Sequence, residues 1–218
     1  MGLFDQLINS IMIPFLEFSY QFIFPNYGIA ILLLTLVIKL IFYPLTHKQF
    51  KSMEEMKKVQ PQLKAIQKKH KDNPKKLQQE MINLYKTNNV NPFSGCLPML
   101  VQLPIFFAVF YTIKSDTFNA LLTQPGANAG FLPFWITNLS APDPIYLLPI
   151  LVGLSTWWSQ KLMVTDPNQQ KIMAFMPIMM TVICFKMPAG VLLYWASSQI
   201  ISTVQQLSIT KKLSTQGA

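Results

Sequence analysis

The chain alternates between long apolar stretches and polar, lysine-rich ones, and the apolar stretches predict five membrane helices. They lie at about 28–45, 97–113, 145–163, 172–186 and 189–208. Several are near or below the ~20 residues that a helix needs to cross a bilayer. Short spans of this kind favour a locally thinned membrane around the protein. The pattern therefore predicts an all-α integral membrane protein with a five-helix transmembrane core.

The first 25 residues do not fit a membrane span. Asp5, Asn9 and Glu17 interrupt their apolar positions, and the segment lacks the basic start of a signal peptide. A helix with one apolar face and one polar face lies in the membrane interface rather than across it. We therefore predict an interfacial amphipathic helix over 1–25, bent near Pro14.

The segment 47–90 predicts a helical hairpin. Apolar residues recur at spacings of three and four on both arms, and Asp72, Asn73 and Pro74 supply the turn. Each arm can then bury one narrow stripe against the other and leave its lysines outside. The stripes are Met56, Val59, Leu63 and Ile66 on the first arm and Leu77, Met81 and Leu84 on the second.

Charge is concentrated in this hairpin. The chain has a net charge of +9, and residues 47–90 hold eleven lysines against four acidic residues, a net charge of +7. Lysines collect in cytoplasmic loops of membrane proteins, so the hairpin is expected in the cytosol; nucleic-acid binding is the alternative explanation. Because loops alternate sides, the amino terminus is then outside and the carboxyl terminus inside.

These boundaries divide the chain into five parts. They are the extracytoplasmic helix 1–25, the first span 26–46, the hairpin 47–90, the remaining four spans 91–210 and a short cytoplasmic tail 211–218. The outer loop 114–144 is too rich in proline and glycine to be one helix. Its residues Phe131, Phe134 and Trp135 suit the aromatic belt at the outer headgroups.

Composition supports a membrane protein and argues against an enzyme. The chain is 51% hydrophobic and 12% charged, with a mean hydropathy of +0.31, whereas soluble domains carry about 25% charged residues. No GxSxG or HExxH motif and no carboxylate pair lies in a span. Cys96 and Cys184 both fall in apolar runs, which indicates no disulfide framework. No catalytic residue, metal or cofactor is therefore expected.

Lys39 lies inside the first apolar stretch, where a charge costs roughly 2.5–3.5 kcal/mol on insertion scales. Thr35, Lys39 and Tyr43 are four residues apart and would share a helical face, which Thr46 continues. Gln102 in the second stretch lies at a similar depth, and its amide oxygen can accept from an ammonium. A lysine that extends to the inner headgroups is the simpler explanation.

The last span adds a further row of polar residues. Trp195, Gln199, Ser202 and Gln206 follow a helical stripe, with Ser198 beside it. Such residues line a polar cavity or form interhelical hydrogen bonds. With Lys39 and Gln102 they favour a water-filled groove, open to the cytosol, that holds an anionic or polar peptide partway into the bilayer.

Methionines in the fourth span are a second candidate contact for a substrate. Their flexible side chains can adapt to a passing apolar helix, although ordinary packing or lipid contact explains them equally well. They are Met173, Met176, Met179 and Met180.

Four stretches together resemble one known family. They are YGIAILLLTLVIKLIFYPLT at 27–46, VNPFSGCLPMLVQLPIF at 90–106, TDPNQQKIMAFMPIMMT at 165–181 and PAGVLLYWASSQ at 188–199. The chain is similar there to the insertase family of YidC, the mitochondrial Oxa proteins and the chloroplast Albino proteins. The resemblance implies a five-helix core with a cytoplasmic hairpin and a membrane protein insertase and chaperone of the bacterial plasma membrane.

The resemblance also implies roles for individual residues. The groove cation corresponds to Lys39, its polar lining to Thr35 and Gln102, and its aromatic residue to Trp195. The substrate slide corresponds to the lipid-facing sides of the second and fourth spans. The implied partners are nascent membrane proteins, the lipid bilayer, the ribosome and signal-recognition machinery through the hairpin, and optionally the Sec translocon, with no DNA.

Three features depart from the family pattern. The groove cation is usually Arg, which stays charged, whereas a buried Lys can lose its proton. Neither the large periplasmic domain of Gram-negative members nor the lipoprotein signal of Gram-positive ones is present, as expected of a minimal or trimmed member. The tail is short. A small anion transporter or channel with Lys39 in its pathway is the alternative function, but no inverted repeat supports it.

Overall fold

The computed structural model describes residues 3–91, 97–132, 134–163 and 167–216. These residues form ten α-helices and one π-helical turn, so the predicted all-α architecture is confirmed. In chain order they are α1 (Leu3–Leu7), the π-helical turn (Ile8–Met12), α2 (Ile13–Phe22), α3 (Tyr27–Ile41), α4 (Tyr43–Lys69), α5 (Pro74–Thr87), α6 (Leu97–Lys114), α7 (Asp116–Leu122), α8 (Leu147–Met163), α9 (Pro167–Cys184) and α10 (Ala189–Gln216).

The amino-terminal helix widens just before Pro14. Proline has no N–H to donate, and its ring crowds the carbonyl four residues earlier. The chain adopts a π-helical turn there, in which the Ile13 N–H donates to the Ile8 carbonyl. Met12 and Leu16 are buried on one face of this helix, whereas Ile11 and Phe18 on other faces are exposed.

The helix that carries Lys39 ends earlier than the apolar stretch predicts. α3 stops at Ile41, and α4 continues from Tyr43 at an angle of 64°. Pro44 causes this change of direction, because it cannot donate the hydrogen bond that would extend α3. The predicted shared face of Lys39 and Tyr43 is therefore wrong: Tyr43 is exposed on α4, next to His47.

By length and composition, one bent pair qualifies as a candidate membrane span within the described ranges, namely α3 with α4. Taken singly, no helix in those ranges is both long enough and apolar enough to qualify.

The predicted hairpin is present as α4 and α5. The Asn73 side chain caps α5 by accepting from the Lys76 N–H at 3.1 Å. Val59 and Leu63 of the predicted stripe are buried on α4, whereas α5 has no fully buried residue. The hairpin therefore depends on α4 for its attachment to the rest of the protein.

The last helix, α10, is the centre of the bundle. It packs against α3, α4, α6 and α8, and Leu192 and Tyr194 on it are among the most buried residues. α8 and α9 form a close antiparallel pair beside it. A Cβ added at Gly153 of α8 would come within 2.0 Å of the Thr181 hydroxyl of α9, so this approach requires glycine.

The segment after α7 covers the start of α3. The Tyr27 and Gly28 N–H groups donate to the carbonyls of Asn128 and Gly130, and a Cβ at Gly28 would lie 2.6 Å from that of Phe131. Phe131 and Trp135 pack against the core, whereas Phe134 is 86% exposed. Of the three predicted belt aromatics, Phe134 is thus the one that projects fully from the protein.

Candidate functional site

Lys39 is held between three helices near the end of α3. Its side chain is only 8% exposed. Its Nζ donates to the Ser202 hydroxyl of α10 at 2.8 Å and to the Gln102 Oε1 of α6 at 3.3 Å. The structure therefore brings together three residues that the sequence placed on separate spans.

Tyr194 extends this cluster beyond Gln102. The Gln102 Nε2 donates to the Tyr194 hydroxyl at 2.6 Å, so both ends of the amide are engaged. Ser198, one turn along α10, also hydrogen-bonds the Tyr194 side chain. Because an amide has a distinct donor and acceptor end, the tyrosine orients the Gln102 oxygen towards Lys39.

Thr35 lies one turn before Lys39 and has no exposed surface. Its hydroxyl donates to the Ile31 carbonyl at 2.7 Å and accepts from the Ser197 hydroxyl at 3.4 Å. A residue so placed joins α3 to α10 in the core. In this conformation Thr35 therefore does not line an open groove.

The electrostatic feature of the cluster is a charge without a counter-ion. An ammonium has three N–H donors, and the two bonds described use neutral acceptors. A salt bridge joins Lys57 to Glu54 on α4, away from Lys39, and α3, α6 and α10 carry no acidic residue among the described residues. Burying a charge without an opposite partner carries a desolvation penalty, which a neighbouring anion would offset.

Two predicted groove residues point towards other neighbours. The Trp195 ring meets Phe106 of α6 edge to face, with centroids 4.7 Å apart. The Gln199 Nε2 donates to the Thr156 hydroxyl of α8 at 3.4 Å. Both residues lie on α10 near the cluster, and the polar and ring contacts described for them join other residues than Lys39.

Sequence reasoning did not single out Tyr194, Ser197 or Thr156. Tyr194, Ser198 and Ser202 are four residues apart, so a second stripe next to the predicted one would have found Tyr194. Ser197 and Thr156 carry no comparable signal, because single hydroxyl residues in apolar helices commonly bond their own backbone.

The methionines of the predicted substrate slide differ in exposure. Met179 is 44% exposed on the outer face of α9, next to Phe175, Ile178 and Val182. Met176 is partly buried, and its sulfur accepts from the Gln160 amide of α8 at 3.4 Å. Met180 is partly buried as well. The side chain of Met173 lies outside the described part of the structure.

Metal ligands do not gather in the part of the chain that the structure describes. No group of three or more His, Cys, Asp or Glu residues occurs there. What the site contains is one cation with hydroxyl and amide partners, which suits non-covalent binding of a polar or anionic group.

Comparisons with known proteins identify similar chains. The family model described as 60Kd inner membrane protein matches residues 18–216. Relatives named membrane protein insertase YidC include one from Nitratidesulfovibrio vulgaris (strain Miyazaki F), 44% identical over 92% of this chain and 38% of its own length. A second, from Helicobacter pylori, is 40% identical over 91% of this chain and 35% of its own length.

A solved structure is also similar. It is described as an active YidC insertase crystal structure with the first transmembrane domain resolved, and it matches with a TM-score of 0.72 at 30% identity. The match covers 94% of this chain and 46% of that one. The chain thus spans less than half the length of the curated relatives and of the structure that it matches.

Proposed function

Because the chain belongs to the 60Kd inner membrane protein family, we propose that it inserts proteins into a membrane and assists their folding there. The polar cluster around Lys39 receives the polar segment that each substrate must move across. The observation that carries this proposal is the buried Lys39 ammonium, which has two neutral partners and no counter-ion among the described side chains.

The cluster lowers the barrier to insertion by electrostatics and hydration. An acidic side chain that reaches Lys39 replaces part of its lost hydration with an ion pair. Ser202 and Gln102 then act as neutral hydrogen-bonding partners for water and for the rest of the polar segment. The substrate thus avoids full contact with hydrocarbon, where unpaired polar groups are expensive.

Short helices support a thinned bilayer at this site. α3 has 15 residues and α9 has 18. At 1.5 Å per residue these helices span ~22 and ~27 Å, against ~30 Å for a typical hydrocarbon core. A thinner membrane shortens the distance that the polar segment must travel.

Two exposed apolar faces are suited to the substrate's membrane helix. On α6 the exposed face includes Leu100, Phe107 and Tyr111, and on α9 it includes Phe175 and Val182. A hydrophobic helix can move along these faces into lipid while its polar end remains near Lys39. We propose Met179 as part of this path.

The charge of the hairpin supports a multi-pass orientation in the bacterial inner membrane. Its net charge of +7 favours the cytosol, with the amino terminus outside and the carboxyl terminus inside. There the hairpin would contact the ribosome and the targeting machinery. The Sec translocon is a further partner in this proposal.

The test is reconstitution into pure lipid vesicles with a small single-span substrate whose translocated tail is either acidic or neutral. Lys39→Ala should lower insertion of the acidic tail about tenfold, because one ion pair of about 1.4 kcal/mol corresponds to that factor. Lys39→Arg should preserve insertion, and Lys39→Glu should be worst, because it repels the acidic tail. The neutral tail should be affected least.

Equal amounts of each variant must be present in the vesicles. If Lys39→Ala inserts the acidic tail as well as the parent does, the charge proposal is wrong. Chloride flux in the same vesicles separates the anion-channel alternative. If chloride flux depends on Lys39 and no substrate is inserted, the protein is a channel and not an insertase.

A further inference from the structure

The contact between α4 and α10 forms a seam that starts beside the Lys39 cluster. Beside its inner end, Lys39 of α3 bonds Ser202 of α10; at its outer end, the Thr210 hydroxyl of α10 donates to the Glu54 Oε1 of α4 at 3.1 Å. From Ser202 to Thr210 is eight residues, ~12 Å of helix. We call residues 47–54 of α4 and 202–210 of α10 the α4–α10 seam.

The two stretches of the seam pack against each other at its outer end. α10 runs in the same sense as the α3–α4 path, because Lys39 of α3 meets Ser202 and Glu54 of α4 meets Thr210, further along both. Phe50, Met53 and Ile209 form a small buried apolar cluster near the outer end.

Unpartnered polar atoms are concentrated in this seam. Among the described residues, five buried side-chain nitrogen or oxygen atoms meet no hydrogen-bond partner, and four of them are here. Gln49 and Gln206 are 4% and 3% exposed. The four atoms are His47 Nδ1, Gln49 Nε2, Gln205 Oε1 and Gln206 Oε1.

Such a concentration is unusual for a contact between two helices. Buried polar groups in proteins are nearly always hydrogen-bonded, so four unpaired atoms in one contact require an explanation. The seam offers an amide N–H donor from Gln49 and amide oxygen acceptors from Gln205 and Gln206. A peptide group presents the complementary acceptor and donor, C=O and N–H, in every residue of an extended chain.

We propose that the α4–α10 seam binds the main-chain amide groups of the substrate's polar segment on its way to Lys39. The ligand is extended polypeptide, which the seam binds through its backbone. The unpaired groups of Gln49, Gln205 and Gln206 are uncharged amides, so binding through them does not depend on the charge of the tail. This inference rests on the proposed insertase function and adds a second binding position to it.

The Lys39 cluster and the α4–α10 seam differ in specificity, so an experiment can separate their effects on insertion. Lys39 acts on charge, so its effect depends on acidic residues in the tail. The seam acts on the backbone, so its effect is the same for acidic and neutral tails. A substrate therefore gains from the seam whatever its sequence.

The experiment uses the full chain in lipid vesicles with the triple variant Gln49→Met, Gln205→Met, Gln206→Met. Methionine keeps the length of the side chain and removes its hydrogen-bonding groups. Insertion should fall about fivefold for both tails, the size of effect expected from a lost hydrogen bond. The control, Gln62→Met, Gln78→Met, Gln79→Met, changes three exposed glutamines of the hairpin and should insert normally.

A thermal unfolding midpoint measured on each variant separates binding from packing. If the triple variant unfolds at a higher temperature and inserts normally, the seam is a packing contact and the inference is wrong. A fivefold loss at an unchanged or raised midpoint supports it. If the triple variant unfolds at a lower temperature, the crosslinking measurement described next decides whether the seam binds substrate.

That measurement is photo-crosslinking with Gln205→p-benzoylphenylalanine and a neutral-tailed substrate. The crosslink should join the tail, whereas the control Leu207→p-benzoylphenylalanine, at an exposed position of α10, should give at least fivefold less. Equal crosslinking from both positions, or none from 205, overturns the inference. If the seam variant inserts normally while Lys39→Ala is defective, the seam inference is wrong and the proposed function stands. If the seam variant is defective while Lys39→Ala inserts normally, only the charge proposal is wrong.

Discussion

Two buried charged residues of the bundle, Asp143 and Lys39, differ in their hydrogen-bond partners. Asp143 is 1% exposed and precedes α8, whereas Lys39 is 8% exposed at the end of α3. Along α10 they are well separated: the Asp143 loop meets the helix at Ala189, and Lys39 meets it at Ser202, ~20 Å further on. The difference lies in how completely each charge is satisfied.

The Asp143 carboxylate accepts three hydrogen bonds from the protein. Its oxygens accept from the Trp135 Nε1 at 2.8 Å, the Leu148 N–H at 2.6 Å and the Ile145 N–H at 3.2 Å. It also lies at the amino-terminal end of α8, where the helix dipole favours a negative charge. A charge so placed stabilises the fold, because three of the roughly four acceptor sites of the carboxylate are used within the protein.

Lys39 has weaker and fewer partners. Ser202 and Gln102 are neutral, and α3, α6 and α10 place no carboxylate against the ammonium among the described side chains. The two charges are therefore alike in burial and differ in their partners, and it is this difference on which the proposed role of Lys39 rests.

The largest effect should follow from the satisfied charge. Asp143→Ala leaves the Trp135 and Leu148 donors buried without an acceptor. We expect the free energy of unfolding to fall by about 3 kcal/mol, since bonds to charged groups contribute about 1.5–3 kcal/mol each. Reversible unfolding in detergent micelles, followed by circular dichroism, measures this loss.

The matched variants are Asp143→Asn and Lys39→Ala. Asn keeps an acceptor for at least one donor, so about half of the stability should return. Lys39→Ala removes a charge that lacks a counter-ion, so stability should stay level or rise. An Asp143→Ala protein as stable as the parent, or a Lys39→Ala protein with the larger loss, would break the comparison.

A smaller effect is expected from a change at Tyr194, whose hydroxyl accepts from the Gln102 amide nitrogen and so orients the Gln102 oxygen towards Lys39. Tyr194→Phe removes the hydroxyl that accepts from the Gln102 amide and leaves the ring packing intact. Gln102 then gains freedom to turn its oxygen away from Lys39. We expect insertion of an acidic tail to fall about threefold, because one net hydrogen bond of about 0.7 kcal/mol is lost.

A positioning role has a signature that a purely structural one lacks. If Tyr194 acts through Gln102 and Lys39, its effect should disappear in the Lys39→Ala background, where no ammonium remains to be positioned. An equal threefold loss in both backgrounds would assign Tyr194 to packing. This double-variant cycle measures the coupling directly.

Much of the site could be predicted by counting residues from helix ends. This count puts Lys39 and Gln102 at similar depth, and in the structure they are hydrogen-bonded at 3.3 Å. It fails for Tyr43, because Pro44 ends the hydrogen-bond ladder of α3, a local effect that outweighs the apolar pattern. Periodicity assigns a face only while one helix continues.

The orientation of α10 was harder to predict. Four helices surround it, and it carries polar residues on several sides, so periodicity cannot say which stripe meets which neighbour. Trp195 and Gln199 were grouped with Lys39 but contact Phe106 and Thr156. Tyr194 lies one position away and is the residue that completes the cluster. That choice depends on tertiary packing.

The smallest effect on insertion itself should come from the exposed lysines of the hairpin, a third class of charge that completes the comparison. Lys68, Lys69, Lys71, Lys75 and Lys76 are all exposed around the turn between α4 and α5. Exposed charges are hydrated and screened, so they attract a polyanion at a distance without stabilising the fold. Changing all five to Gln should leave insertion in ribosome-free vesicles within about 1.5-fold of the parent, since no buried contact is lost.

Ribosome binding is where these lysines should matter. Each phosphate contact contributes about 0.7–0.9 to the slope of log affinity against log salt, so the loss of even two contacts lowers that slope by about 1.5. Cosedimentation with ribosomes across a salt series measures the slope, and the five Lys→Arg changes are the control that keeps the charge. Unchanged ribosome affinity at low salt in the Gln variant would remove the hairpin from recruitment. A loss of insertion without ribosomes would instead show that exposed charges act in the insertion step itself, which would contradict the distinction drawn between Lys39 and the lysines of the surface.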